Sequence, residues 1–502
     1  MTAESTTAAP DAAAPSLRRR LLVFGGILLG MLLPTLDQSI VAAALPSVVH
    51  DLGGIEHFAW VFTGYGLTLS ITTVIGGKLG DLFGHRVVFL SGILVFIAGS
   101  MLCGLAGDMP QMIAFRVVQG IGGGALVVAS FSLIGQLFDP AERAKYAGYS
   151  TSVFAVASVA GPLAGGVVTE VAGWRWAFYV NLPLGLVTLA LVAFLLPRSA
   201  TRARPRIDYA GAALLAALSA CVALLAGRAG SLDAVLSAPG IALIAAVVVI
   251  VPVWILVERR AAEPMIPLSL FGNSTFVLSN AITMLAGFAI LATVNFLPLF
   301  LQAASGASAL MSGLVLIPMM FGLVVSSTLV GRRIAETRRY RWFPPASMAV
   351  AATASYLLST MDAGTPWLVV VAYSVLLGIG SGLSMQVFVV AVQGCAPPAQ
   401  IGAATATVTY ARLVGASFGV SAFGAVFSAR LATELPRHVP GAETGTMTNL
   451  TAAALDKLPA DLRHGFTEAY ADSLGTVFFV AVPVLLLALV LSLAMRDRAL
   501  GA

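Results

Sequence analysis

The chain has 502 residues, of which 58% are hydrophobic and only 10% charged, with a formal net charge of +5. Soluble domains use about 45–50% apolar residues, so a soluble enzyme or nucleic-acid-binding domain is excluded as the main architecture. The apolar runs are about 20 residues long, enough to cross a hydrocarbon core as helices. They lack the short apolar–polar alternation of a membrane β-barrel. The expected fold class is an all-α polytopic membrane protein.

Residues 1–20 read as a basic N-terminal tail. Its first part, "MTAESTTAAPDAAAPSL", is small, polar and Pro-containing, a composition of disordered segments, and "RRR" closes it. The apolar run that follows, up to "AAALP", superficially resembles a signal peptide, but the many later spans favour an uncleaved first helix. Spans are predicted near 21–44, 58–77, 86–106, 110–136, 146–169, 176–197, 209–228, 238–257, 276–300, 309–331, 343–360, 366–391, 403–429 and 474–495. These fourteen divide as six, two and six: a bundle over 21–197, a linker with two extra helices over 198–275, and a bundle over 276–495. A long external loop is predicted over 431–472, with a short amphipathic helix near 451–471, and a cytoplasmic tail over 496–502. Basic residues concentrate in alternate connections, among them "GKLGDLFGHR", "DPAERAK", "PRSATRARPR" and "GRRIAETRRYR". "GCAPPAQ" is the exception. By the positive-inside rule both termini are cytoplasmic.

Most of the charge and glycine of one short connection lies in "GGKLGDLFGHR", residues 76–86. Gly77, Gly80 and Gly84 permit close backbone approach and a tight turn. Asp81 can pair with Arg86 or with the positive end of a neighbouring helix. Lys78 and Arg86 also satisfy the positive-inside rule, as basic residues in any short inner loop would. Asp37 lies midway along the first span, where an Asp costs roughly 2.5–3.5 kcal/mol on insertion scales. An ionisable residue at such a depth is a functional candidate; the structural alternative is a carboxylate bonded to neighbouring helices. Arg116 and Arg412 are the deep cations; Arg116 could instead snorkel to an interface, and Arg412 could pair structurally. "GPLAGG" at 161–166 combines the helix-bending Pro162 with Gly161, Gly165 and Gly166.

"GASFG" at 415–419 and "GIGGGA" at 120–125 fit a hydrolase elbow and a dinucleotide motif respectively. Both lie inside apolar spans without the strand–turn–helix context those motifs need, where small residues serve helix packing. No Walker A sequence points to ATP. Cys103, Cys221 and Cys395 have no metal-site or disulfide spacing. No cofactor, metal or catalytic residue is expected.

"GKLGDLFGHR" resembles the signature loop between spans two and three of major facilitator transporters. "LDQSIVAAALP" (36–46), "RVVQGIGGGAL" (116–126, with Arg116, Gln119 and Gly120), "GPLAGG", "GWRWAFYVNLPLG" (173–185) and "LPLFLQAASGASALMSGLVLIP" (297–318) are similar to stretches of the fourteen-helix drug:proton antiporters. The resemblance covers nearly the whole chain. It implies a major facilitator fold and proton-coupled efflux of hydrophobic or amphiphilic drugs, antibiotics or secondary metabolites by alternating access. Asp37 and Arg116 would then handle protons or substrate, Gly77 to Arg86 would form a conformational latch, and "GPLAGG" would lie at the seam between the halves. Trp60 and Tyr65, near the external mouth, are candidates for lining the substrate path.

The expected partners are a small-molecule substrate, protons and the lipid bilayer, with no nucleic acid, and the protein is expected to be a monomer in a bacterial cytoplasmic membrane. The alternatives are a transporter dedicated to one natural product, and a non-transporting sensor or scaffold. Two departures from the family pattern stand out. The loop "GRRIAETRRYRW" of the second half lacks the Asp of the signature, so the latch is expected to be asymmetric. The last six spans carry no clear mid-membrane carboxylate, which disfavours strongly cationic substrates.

Overall fold

The computed structural model describes residues 17–53, 58–196, 208–228, 232–303, 309–439 and 460–495. No strand occurs among them. In hydrocarbon each backbone N–H and C=O must be satisfied within its own segment, and an apolar chain meets that demand as helix. The first bundle comprises α1 (Leu17–Leu52), α2 (Phe58–Phe83), α3 (His85–Gly104), α4 (Met109–Leu137), α5 (Pro140–Ala172), α6 (Trp176–Tyr179) and α7 (Asn181–Leu195). The linker holds α8 (Tyr209–Arg228), α9 (Leu232–Leu236) and α10 (Ala238–Arg260). The second bundle comprises α11 (Ser274–Ala286), α12 (Ala292–Ala303), α13 (Ala309–Thr337), α14 (Phe343–Ser359), α15 (Trp367–Ser384), α16 (Val387–Cys395), α17 (Ile401–His438) and α18 (Ala460–Leu493). A π-helical turn, Gly287–Leu291, joins α11 to α12.

Twelve helical segments among the described residues are long and apolar enough to cross a bilayer, against fourteen predicted spans. The other two predicted spans fall on α2 and α14, which the twelve do not include. At 17 residues α14 is about 25 Å long. The tail and the last loop differ from expectation. Arg18, Arg19 and Arg20 already belong to α1, and Arg19 Nε donates to Leu195 O at the end of α7 (3.0 Å). The predicted loop 431–472 is helical at both ends, because α17 runs on to His438 and α18 begins at Ala460. Residues 460–471 are thus the first turns of α18 rather than a separate amphipathic helix; 440–459, 197–207, 1–16 and 496–502 lie outside the described residues.

α1 packs on α5 and α7, α2 and α3 pack on α4, α13 and α14 each pack on α15, and α17 packs on α18. Two long contacts join the bundles, α5 with α13 and α2 with α17. The extra pair α8–α10 lies against α2 and α17 through α8. Val74, Leu215, Trp254 and Ile266 form its apolar anchor, with Tyr410 packed beside them.

Candidate functional site

Asp37 is completely buried in the first bundle, and so are the four polar side chains around it: Arg116, Gln119, Asn181 and Ser100. Its Oδ2 accepts from Arg116 Nη1 at 2.6 Å, and its Oδ1 accepts from Gln119 Nε2 at 2.8 Å and Asn181 Nδ2 at 2.7 Å. Arg116 Nη1 also donates to Gln119 Oε1 (2.7 Å), and its guanidinium lies 4.1 Å from the centre of the Tyr65 ring. Asn181 Nδ2 reaches Ser100 Oγ at 3.0 Å, and Ser100 in turn donates to Phe178 O. Charge-assisted bonds in a low-dielectric interior are the strong ones, and donors from α4 and α7 converge here on the carboxylate of α1, with Ser100 of α3 behind Asn181.

Local sequence explains the convergence. A Cβ at Gly99 of α3 would stand 2.6 Å from both Gln119 Cα and N, so glycine there lets α4 approach and seats Gln119. The break at Val180 between α6 and α7 makes Asn181 the first residue of α7, turned toward α1. Arg116 Nη2 and Asn181 Oδ1 have no hydrogen-bond partner among the described residues. The cluster therefore retains polar capacity that a proton or a shifted side chain can use.

The signature loop forms a second polar assembly, which spans both bundles. Asp81 Oδ1 and Oδ2 accept from the backbone N–H groups of Gly402 and Ala403, each at 2.9 Å. These amides lie in the first turn of α17, so the carboxylate caps a helix of the other half and meets the positive end of its dipole. Of the two partners the sequence allows for Asp81, this is the helix end; Arg86 donates instead to Ala193 O in α7 (2.8 Å). A Cβ at Gly77 would lie 2.5 Å from Ala406 Cβ and 2.6 Å from Gly402 O, and Gly84 has a φ of 91°. Gly80 leaves room for the His85 ring. Lys78 forms an ion pair with Glu263, beyond α10, at 2.8 Å. The same end is closed further by Gln393 Nε2 on Phe131 O (3.2 Å), by Thr151 and Ser327 (2.9 Å), and by Arg332 Nε on Tyr149 Oη (3.2 Å). Arg332 belongs to the Asp-less second-half segment, so the two halves close by different chemistry.

A sequence profile of the Major Facilitator Superfamily matches residues 27–420. The chain belongs to this superfamily. An uncharacterized MFS-type transporter of Mycobacterium tuberculosis is 37% identical over 95% of this chain and 70% of its own length. Multidrug resistance protein 3 of Bacillus subtilis is 33% identical over 92% of this chain and 93% of its own. The human organic anion transporter MFSD10 (TETRAN) has the same fold, with a TM-score of 0.66 at 14% identity, over 94% of this chain and 99% of that one. The protein is accordingly a multi-pass membrane transporter of the superfamily, as the resemblance in its motifs implies.

Several predicted residues lie elsewhere than expected. Tyr65 does not line a mouth; it is buried beneath Arg116 and donates to Pro34 O (3.3 Å). Trp60 is exposed. The glycines of "GPLAGG" pack within the first half: Gly161 faces Ser39 and Gly165 faces Ile40 O and Ala43 on α1, while Gly166 faces open space and Pro162 is exposed. The α5–α13 seam between the halves runs instead through Ala144, Gly148 and Thr151 on one side and Ser327 and Gly331 on the other. Arg412 donates to Met385 O (3.3 Å), in the break between α15 and α16. Gly120 abuts Tyr65 and Thr68, and Gly415 and Gly419 press on Met284 O and Phe288 O, so both decoy motifs are helix-packing stretches.

Asn181, Ser100 and Glu263 were not singled out from sequence. Asn181 had a readable signal, since an amide amid "FYVNLPLG" is a polar group inside a span. Ser100 and Glu263 had none. Glu434, His438 and Asp472 are the one set among the described residues with metal-like spacing. Glu434 already holds Arg430 and Arg437 at 3.1 Å, and His438 bridges Glu468 and Asp472, so protein charges occupy the donors.

Proposed function

We propose that the protein is a proton-coupled exporter of hydrophobic or amphiphilic small molecules, working by alternating access as a monomer in a bacterial cytoplasmic membrane. About fourteen spans in a six–two–six order, with both termini cytoplasmic, place the signature loop on the inner face. The bundles are 21–197 and 276–495, and 198–275 links them. The observation that carries the reading is the Asp37–Arg116 pair, sealed inside one bundle with two amides on the same carboxylate. Protonating Asp37 removes the charge that Arg116 compensates, and a buried cation left unpaired forces its surroundings to rearrange. Because α1 packs on both α5 and α7, such a rearrangement is felt across the bundle. Asp81, which caps α17 of the other half, holds the inner side closed in this reading.

In the proposed cycle a proton arriving from outside neutralises Asp37, the Asp81 cap releases, and the inner side opens for the proton to leave and substrate to enter. Each charge crossing 100 mV gains about 2.3 kcal/mol, which is the drive for uphill export. Gln119 and Asn181 orient the carboxyl, Tyr65 screens Arg116, and Gly77 to Arg86 time the inner closure.

The test uses the purified full chain in liposomes. Addition of a transported compound to acid-loaded vesicles should release protons from the lumen, and Asp37→Asn should abolish that release. Compound movement without proton release, or no response to a broad panel under either gradient direction, would overturn the reading.

A further inference from the structure

A cavity of about 530 Å³ lies between the two halves, walled by α2, α17 and α8, one of the two extra helices. It is in the range of drug-sized sites. None of its lining side chains is charged. Apolar walls such as Leu67, Val222 and Leu413 alternate with hydroxyls, and Gln38 of α1 contributes an amide. Gln38 is the neighbour of Asp37. Successive helical residues point about 100° apart, so α1 turns its acid inward to Arg116 and its amide to this cavity.

α8 closes the side between α2 and α17. Ser219 Oγ donates to Leu215 O (2.7 Å) and lies 2.8 Å from Tyr410 Oη. With the serine proton engaged on Leu215, the phenol is the donor of the shared bond, and the lone pairs of Tyr410 Oη remain to accept. Ser219 is about 15 Å along α8 from Tyr209, and Gly227, at the other limit of the cavity, is one residue from the end of α8. The space thus extends from mid-span toward the end opposite the signature loop.

We propose that this cavity is a binding site for uncharged amphiphiles bearing a hydrogen-bond donor, with the extra helix α8 as one of its walls. The inference rests on the efflux reading for its role in transport, but not for binding. An ion brought here would lose water and meet no counter-charge, whereas a neutral aromatic amine keeps its apolar contacts and donates to Tyr410. The extra helix α8 is then part of substrate selection rather than a spacer between bundles.

The experiment uses the full chain in liposomes with N-phenylnaphthylamine as the neutral probe and ethidium as a cationic one. Ala223→Cys places a thiol on the α8 wall, and its maleimide labelling reads occupancy whether or not anything is transported. The neutral probe should slow labelling at least fivefold and ethidium less than twofold. Tyr410→Phe should raise the probe concentration needed for protection about three- to tenfold, the worth of one net hydrogen bond. Ala223→Trp, which fills the cavity, should cut proton-driven movement of the neutral probe at least tenfold. Lack of protection by the neutral probe, equal protection by ethidium, or protection that tracks added phospholipid instead would each overturn the site. Protection without proton-driven transport in the wild type would leave the site standing and remove the efflux reading. If Ala223→Trp fails to fold, the labelling of Ala223→Cys and the Tyr410→Phe shift decide.

Discussion

Replacing Asp81 by alanine should loosen the closed inner side by an amount the geometry allows one to estimate. The carboxylate accepts two backbone N–H bonds at 2.9 Å from the first turn of α17. Loss of a capping side chain costs about 0.5–2 kcal/mol, and an anion at a partly buried helix N-terminus contributes up to about 2 kcal/mol. These overlap, so a net loss of about 2 kcal/mol is a fair figure, or roughly a 30-fold shift toward the open form. Because Asp81 and α17 belong to different bundles, the loss falls on their association and leaves the fold of each intact. Ala406→Cys, whose Cβ abuts Gly77 in the closed arrangement, reports the opening through its rate of modification by a water-soluble maleimide. In an Asp81→Ala background that rate should rise about 30-fold, and in Asp81→Asn, which keeps one acceptor, by less. Coupling of proton to substrate should persist while the cycle slows. A labelling rate within twofold of the parent would refute the latch. So would a mutant that cycles freely with altered proton stoichiometry.

Asp37→Asn should abolish substrate-driven proton release, and loss of the ion pair with Arg116 adds a stability cost. Breaking a buried pair from one side costs about 3–5 kcal/mol, so a lower melting temperature in detergent should accompany the transport defect, and undiminished export would remove Asp37 from the mechanism. Gly77→Leu should obstruct closure against Gly402 and Ala406, and should increase inner-side labelling even with Asp81 intact; normal closure by hydrogen–deuterium exchange of α17 would count against the packing argument. Gly99→Val has no contact with Asp37, yet it should impair transport at least tenfold by pushing Gln119 off the carboxylate; wild-type rates in vesicles would show that Gln119 placement is immaterial.

Asp37 and Arg116 were identifiable as lone charges in apolar spans 79 residues apart, because burial of a charge is expensive enough to mark it. Their pairing was not legible, since it depends on the crossing of α1 and α4. The sequence allows Asp81 two possible partners, and only the approach of the second bundle selects the amides of Gly402 and Ala403, more than 300 residues away. Tyr65 is a path-lining candidate by its place in the chain, and the rotation of α2 puts it under Arg116 instead. Gly161 and Gly165 of "GPLAGG" face α1, because the α5–α13 contact uses the earlier turns of the same helix.

What the sequence determined by itself is the medium, the helical class and the family, since hydropathy, composition and ordered motifs are local properties. What the tertiary structure alone decided is which polar groups meet. In a membrane every helix satisfies its own backbone, so local sequence says little about neighbours. The choice falls to a few glycines, one helix break at Val180 and the docking of two bundles, and these bring Asp37, Gln119 and Asn181 to one point and Asp81 to another.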